Sequence, residues 1–164
     1  RAKIEIAQFI DEILLTDRLY IIGAGTTTGA ITRRLGIGKT LLGVDAIRNH
    51  RLVAADCDEK TLLALQEKYP DTRIIISPIG AQGFILGRGN QQISAALVRK
   101  VGIKNMIVVA TPHKLAELPF LYIDSGDPVL DAEFGDTIQV ISGYRIAQRK
   151  KIHHEKKDYS PAGA

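Results

Sequence analysis

At 164 residues the chain is sized for one domain, and its 45% hydrophobic content can supply a core. No stretch approaches the ~20 apolar residues of a membrane span, no signal peptide is visible, and the single cysteine, Cys57, excludes an internal disulfide and fits a reducing cytoplasm. The net charge of +4 is gathered at one end: residues 145–164 hold six of the 22 basic and two of the 18 acidic side chains, leaving sixteen of each sign elsewhere. That basic run reads as solvated charge rather than a nucleic-acid or lipid surface. Aromatics at 5% leave a base-stacking platform unsupported. The chain opens on Arg1, without methionine, which predicts either removal of leading residues or a piece of a longer protein.

Ile6, Phe9, Ile10 and Ile13 follow helical spacing and predict a first helix from about Lys3 to Leu15. A strand follows over Leu19 to Ile22, then the loop Gly23-Ala24-Gly25-Thr26-Thr27-Thr28-Gly29, then a helix from about Thr28 to Leu35. Leu41 to Ile47 and Leu52 to Ala55 read as strands joined through a hairpin turn at Asn49-His50. Glu59 to Lys68 is a helix that Pro70 closes. Ile74 to Ile76 is a buried strand leading into a glycine-rich segment and a helix over Ser94 to Val101. Met106 to Ala110 leads to Thr111-Pro112, and Leu121 to Asp124 leads to Asp127-Pro128. Each pair is a cap residue followed by proline at the first helical position. Thr137 to Ile141 is a last strand, and a basic, flexible tail is expected over 150–164, leaving 1–149 as a single nucleotide-binding domain. Strands alternating with helices predict an α/β fold: a mainly parallel or mixed sheet, flanking helices, and ligand loops at strand C-terminal ends.

The segment Ser77 to Gln92, SPIGAQGFILGRGNQQ, points most directly to chemistry. Gly80, Gly83, Gly87 and Gly89 let backbone amides approach a ligand and adopt positive φ. Arg88 offers a planar fork for phosphate or carboxylate, while Asn90, Gln91 and Gln92, with Gln82, can both donate and accept. The expected ligand is a polar, anionic small molecule; the competing reading is a glycine-rich connection whose Arg88 merely caps a helix or pairs on the surface. In the first loop Gly23, Gly25 and Gly29 approach a dinucleotide fingerprint, and Asp45, 22 residues after Gly23, suits an acid on a ribose hydroxyl. Thr26, Thr27 and Thr28 add hydroxyls at a helix N-terminus that favours anions. The alternative there is a threonine-capped helix with Gly25 making the turn. Gly36-Ile37-Gly38-Lys39-Thr40 is rejected as a triphosphate loop, because the leading glycine is replaced by Arg33 and a strand follows where a helix is needed.

Asp124, Asp127 and Asp131 could hold Mg²⁺ or a ribose, although Asp127 as a helix cap and Asp131 on a solvated face is the plainer expectation. His113 is expected on the surface, Cys57 as a passive thiol, and His153-His154 as a poor metal pair because adjacent side chains diverge. No residue is assigned as catalytic or as a metal ligand.

GAGTTTGAITRRLGIGKTLLGVDAI, SPIGAQGFILGRGNQQIS, NMIVVATPHKL and DSGDPVLDAEFGDTIQVISGYR together resemble the C-terminal portion of the ATP-NAD kinase-like family of bacteria and archaea, in order from about Ile4 to Arg145. The chain departs from the family pattern at Ala81, Ala24 and Asn49-His50. The resemblance implies phosphoryl transfer from ATP to NAD, with ATP and NAD as substrates, Mg²⁺ as a candidate ion, and a cytoplasmic location. It also implies an N-terminal half of the same protein as partner, carrying a Gly-Gly-Asp-Gly-Thr loop whose aspartate activates the ribose hydroxyl. The nearest string here, GAGTT, lacks that aspartate. The expected role is therefore the nucleotide-binding C-terminal domain, with self-association left open and no nucleic-acid or membrane partner. The competing function is a non-catalytic sensor for a sugar phosphate or dinucleotide; a small dehydrogenase is disfavoured, since no acid/base pair accompanies the glycines.

Overall fold

The computed structural model describes residues 1–38, 40–87 and 90–154. Among the described residues nine strands form one sheet in the order β3-β2-β1-β4-β6-β8-β9-β7-β5, with six α-helices and one short 3-10 helix (Ile103–Asn105) around it. The strands are β1 (Leu19–Ile22), β2 (Asp45–Arg48), β3 (Arg51–Ala54), β4 (Thr72–Ile76), β5 (Phe84–Leu86), β6 (Met106–Val109), β7 (Leu121–Ile123), β8 (Thr137–Gly143) and β9 (Ile146–His153). The helices are α1 (Ala2–Ile13), α2 (Thr26–Arg34), α3 (Glu59–Lys68), α4 (Ala95–Val101), α5 (Pro112–Glu117) and α6 (Pro128–Glu133). This is the expected mixed, mostly parallel α/β sheet.

The alternation of side chains along a strand divides the apolar residues between two layers. Leu19, Ile21, Ile74 and Ile76 point into the larger core, which Leu62 of α3, Leu97 and Val98 of α4, and Leu115 of α5 complete. Tyr20, Ile22 and Ile75 point the other way, onto Ile6 and Ile10 of α1 and Ile31 of α2. Every residue of β1 is buried, which is why it reads as an unbroken apolar run rather than an alternating one.

β1, β4, β6 and β8 are mutually parallel. β8 turns back into β9 antiparallel, and β9 then pairs parallel with β7, which pairs parallel with β5. The sheet therefore contains two parallel blocks of opposite sense joined at β8–β9. The glycine-rich and Asp-Pro loops do lie at strand C-terminal ends, but those ends point in opposite directions in the two blocks.

Two strands were not expected. β5 lies inside the glycine-rich segment: the chain turns over Gly80–Gly83, and the amide of Phe84 donates to the Ile79 carbonyl at 2.9 Å. β9 overlaps the expected tail, so the boundary at residue 150 is corrected. Lys150 and Lys151 pair with Ile138 and Thr137, Ile152 is 7% exposed, and His154 Nε2 lies 2.6 Å from the Gly135 carbonyl. Residues 155–164 lie outside the described residues. The strand expected over Leu41 to Ile47 begins only at Asp45. The Asn49-His50 turn is present, with φ of 52° and 61°, the double positive φ of a tight hairpin.

Candidate functional site: two clefts at opposed strand ends

The first cleft, the threonine cleft, lies beyond the C-terminal ends of β1, β4 and β6 and encloses about 380 Å³. Gly25, Thr26 and Thr27 form one wall, Ser77 to Gly80 a second, and Thr111, His113, Lys114 and Glu117 a third, with Lys3 reaching over from α1. Gly25 holds the entry to α2 at φ 125°, ψ 169°, a conformation that is almost confined to glycine. Its amide donates to the Leu41 carbonyl at 3.0 Å, and its carbonyl accepts the first bond of the helix from Gly29 at 3.1 Å. The amides of Thr26 and Thr27 precede that first bond and have no carbonyl within the helix to bind. They face a cleft whose charged rim holds Lys3, with Nζ 2.8 Å from Thr26 Oγ1, and Lys114, with Nζ 3.1 Å from the Gly80 carbonyl. Glu117 opposes them, 3.9 Å from an exposed His113. Helix-terminal amides, hydroxyls and two ammonium groups together give the cleft a surface whose electrostatics favour negative charge.

Thr28 is not part of that surface. It is buried, and its hydroxyl folds back onto the carbonyls of Gly23 and Gly25 at 2.8 and 3.1 Å, locking the loop. Gly23 serves packing: its amide donates to the Ile75 carbonyl at 2.8 Å, and a side chain there would press on Ile76 at 3.0 Å.

Asp45, expected to meet a ribose hydroxyl, is buried and staples the chain to itself. Its carboxylate accepts from the Thr40 amide and hydroxyl at 2.9 and 2.8 Å and from the Asp56 amide at 2.7 Å. A dinucleotide fingerprint presumes a parallel second strand ending in the acid, whereas β2 is antiparallel to β1 and begins with it. The neighbouring Cys57 is buried, and burial together with the charges of Asp45, Asp58 and Asp56 pushes its thiol above the usual range. That suits a passive residue.

The second cleft, the asparagine cleft, encloses about 310 Å³ between the segment after β5 and the loop after β7. Gly87, Asn90, Gln91, Ile93 and Ser94 meet Asp124, Ser125 and Gly126 there. The glycine-rich segment is thus divided: Gly80 belongs to the threonine cleft and Gly87, Asn90 and Gln91 to this one, with β5 between them. Gly83 is buried against Leu118, and the exposed Gln82 and half-buried Gln92 line neither cleft. Arg88 and Gly89 lie outside the described residues.

Asp127 is also committed to structure. One carboxylate oxygen caps α6 through the Val129 and Leu130 amides, both at 3.1 Å. The other takes a two-pronged ion pair from Arg99 at 2.9 and 2.8 Å. The Arg99 guanidinium and these amides hold the carboxyl below the usual carboxylate range. Asp131, expected on a solvated face, is 7% exposed and accepts from the Ser125 hydroxyl at 2.5 Å.

Lys3 and Lys114 were missed by the sequence reading. Nothing in their local spacing marks them; both reach the threonine cleft only through the packing of α1 and α5. Among the described residues no three His, Cys, Asp or Glu side chains converge as a metal site. The threonine cleft offers one carboxylate, Glu117, and no protein cage for Mg²⁺ is derived from it. No helix among the described residues is long and apolar enough to cross a membrane.

A mixed α/β sheet with glycine-turned loops and helix starts at its strand ends defines a class of layered α/β domains. Within that class, the family model of the ATP-NAD kinase C-terminal domain matches residues 15–151, and the chain belongs to that family. Comparison with curated proteins and with solved structures gave no match.

Proposed function

We propose that this domain binds the phosphates of a nucleotide in the threonine cleft, as the C-terminal part of a kinase-like protein that transfers a phosphoryl group from ATP to NAD. The observation that carries the reading is the meeting of the first-turn amides of Thr26 and Thr27, which no carbonyl within the helix can satisfy, with Lys3 and Lys114 around one cleft. A phosphoryl group asks mainly for charge neutralisation and fixed donors, and this cleft supplies both. Membership of the ATP-NAD kinase C-terminal domain family supports ATP and NAD as the nucleotides. The attacking hydroxyl also needs an activating carboxylate. The GAGTT string carries none, so that group is assigned to a partner segment of the same cytoplasmic protein.

Calorimetric titration with pyrophosphate, ATP and NAD tests this. Lys114→Ala should weaken pyrophosphate binding about ten-fold, the loss of one charge-assisted bond of about 1.5 kcal/mol, with the fold intact by circular dichroism. The 164-residue chain alone should form no NADP above a heat-killed control. Undiminished pyrophosphate affinity in Lys114→Ala would remove the cleft from the reading, and NADP formation by the chain alone would remove the need for a partner carboxylate.

A further inference from the structure

We infer that the asparagine cleft is a second, separate binding site, and that it takes an uncharged purine nucleoside through the Asn90 carboxamide. Asn90 is completely buried, and among the described residues neither its amide nitrogen nor its amide oxygen has a hydrogen-bond partner. Its backbone, by contrast, is fully employed: its amide donates to the Gly87 carbonyl at 2.7 Å, and its carbonyl accepts from the Ile93 amide at 3.0 Å. Two tight turns therefore pin the residue in place while leaving its side chain unsatisfied beside a cavity. Buried amide groups are nearly always paired, and one left unpaired costs free energy. A carboxamide held ready beside a cleft resolves that cost when a ligand supplies a donor and an acceptor side by side.

The edge of adenine presents that pair, and asparagine reads it with two hydrogen bonds. The second free group is the Asp124 carboxylate, which also lines the cleft and has no ion pair or hydrogen bond among the described residues. Its charge opposes a phosphate and favours hydroxyl donors such as those of a ribose. Ser125 cannot take that role, because its hydroxyl is spent on Asp131. Ile93 supplies an apolar contact, and about 310 Å³ suits a nucleoside rather than a dinucleotide. The two clefts sit at strand ends of opposite sense with β5 between them, so occupancy of one leaves the other open.

The test is calorimetry with adenosine and with pyrophosphate, each alone and each in the presence of the other. Adenosine should bind with the same affinity whether or not pyrophosphate is present. Asn90→Leu should weaken adenosine at least ten-fold, leave pyrophosphate unchanged, and raise the melting temperature of the unliganded protein, because an unpaired buried amide is replaced by an apolar side chain of similar size. Asp124→Asn, at a half-buried position, should weaken adenosine several-fold without altering the melting temperature, and decides the matter should Asn90→Leu fail to fold. No saturable adenosine binding at millimolar concentration overturns the inference, as does adenosine affinity unchanged in Asp124→Asn. Failure of pyrophosphate binding alone would instead strike the threonine cleft, so the two proposals fall separately.

Discussion

Gly87 and Asp124 touch so closely that a Cβ on Gly87 would lie 2.3 Å from the Asp124 carbonyl oxygen. The contact closes the end of β5 against the end of β7, where the Asp124 amide donates to the Leu86 carbonyl at 3.2 Å. Gly87 also sits at φ 102°, so an alanine there meets both a backbone clash and a disfavoured dihedral. Gly87→Ala should cost about 2–4 kcal/mol, read by urea denaturation. A loss below about 0.5 kcal/mol would show that the β5–β7 junction yields easily, since that is the range of ordinary surface substitutions.

The Arg99–Asp127 pair has a pH signature. With its folded pKa held below the unfolded value of about 3.9, Asp127 contributes stability that is present above the unfolded value and is lost as pH falls through the folded one. The stability gap between wild type and Asp127→Asn should therefore be widest at neutral pH and shrink below about pH 4. A gap that stays constant from pH 7 to pH 3 would mean that the pair does not titrate with folding.

Deleting 150–164 should destabilise the protein strongly. The cut removes the end of β9, including buried Ile152, its pairing with β7, and the bond from Lys150 Nζ to the Leu115 carbonyl at 2.9 Å. Ile152 alone accounts for about 1.5–3 kcal/mol of apolar burial. With about 2–4 °C per kcal/mol for a protein of this size, the melting temperature should fall by more than about 5 °C. An unchanged melting temperature would make the end of β9 dispensable.

Arg88 carries a forecast from sequence alone. Within Ser77 to Gln92 it is the one charged side chain. If it meets a bound anion, Arg88→Ala should cost about 1.5–3 kcal/mol of affinity, roughly ten- to a hundred-fold, with Arg88→Lys restoring only part because a point charge cannot act as a fork. A lowered melting temperature with ATP affinity intact would give Arg88 a structural role instead.

Cys57 should resist thiol reagents. Burial and three neighbouring carboxylates disfavour its thiolate, so at pH 8 the folded protein should react with a disulfide reagent at least about ten-fold slower than the urea-unfolded chain. Equal rates would show that the region around Asp45 opens readily.

The elements most legible in the sequence were those whose signal is local. Thr111-Pro112 and Asp127-Pro128 start α5 and α6 as their chemistry demands, and Ser94 caps α4 by accepting from the Leu97 amide at 3.2 Å. β9 was missed because Gln148 to Lys151 are polar and mostly exposed, and only Ile152 is buried within the strand, so pairing with neighbours rather than apolar spacing makes it a strand. β5 was hidden by its three residues among glycines. The backbone bonds of Asp45 were not legible because spacing from Gly23 says nothing about strand direction, and β2 runs antiparallel to β1. The division of Gly80 from Gly87 was invisible for the same reason: seven residues of sequence carry the chain from one end of the strands to the opposite end.

The reversal at β8–β9 also constrains the order in which the molecule can be assembled. On a growing chain the block β1, β4, β6 and β8 can form once Gly143 has been made. β5 and β7 can pair with each other earlier, but in the finished sheet their tie to the rest is β9, through Leu121↔Ile152 and Tyr122↔His153. The asparagine cleft, built on the ends of β5 and β7, is therefore anchored only when β9 leaves the ribosome. A pause or truncation just short of Ile152 would leave a folded parallel block beside an unmoored pair of strands, with the buried amide of Asn90 among the last groups to find its place.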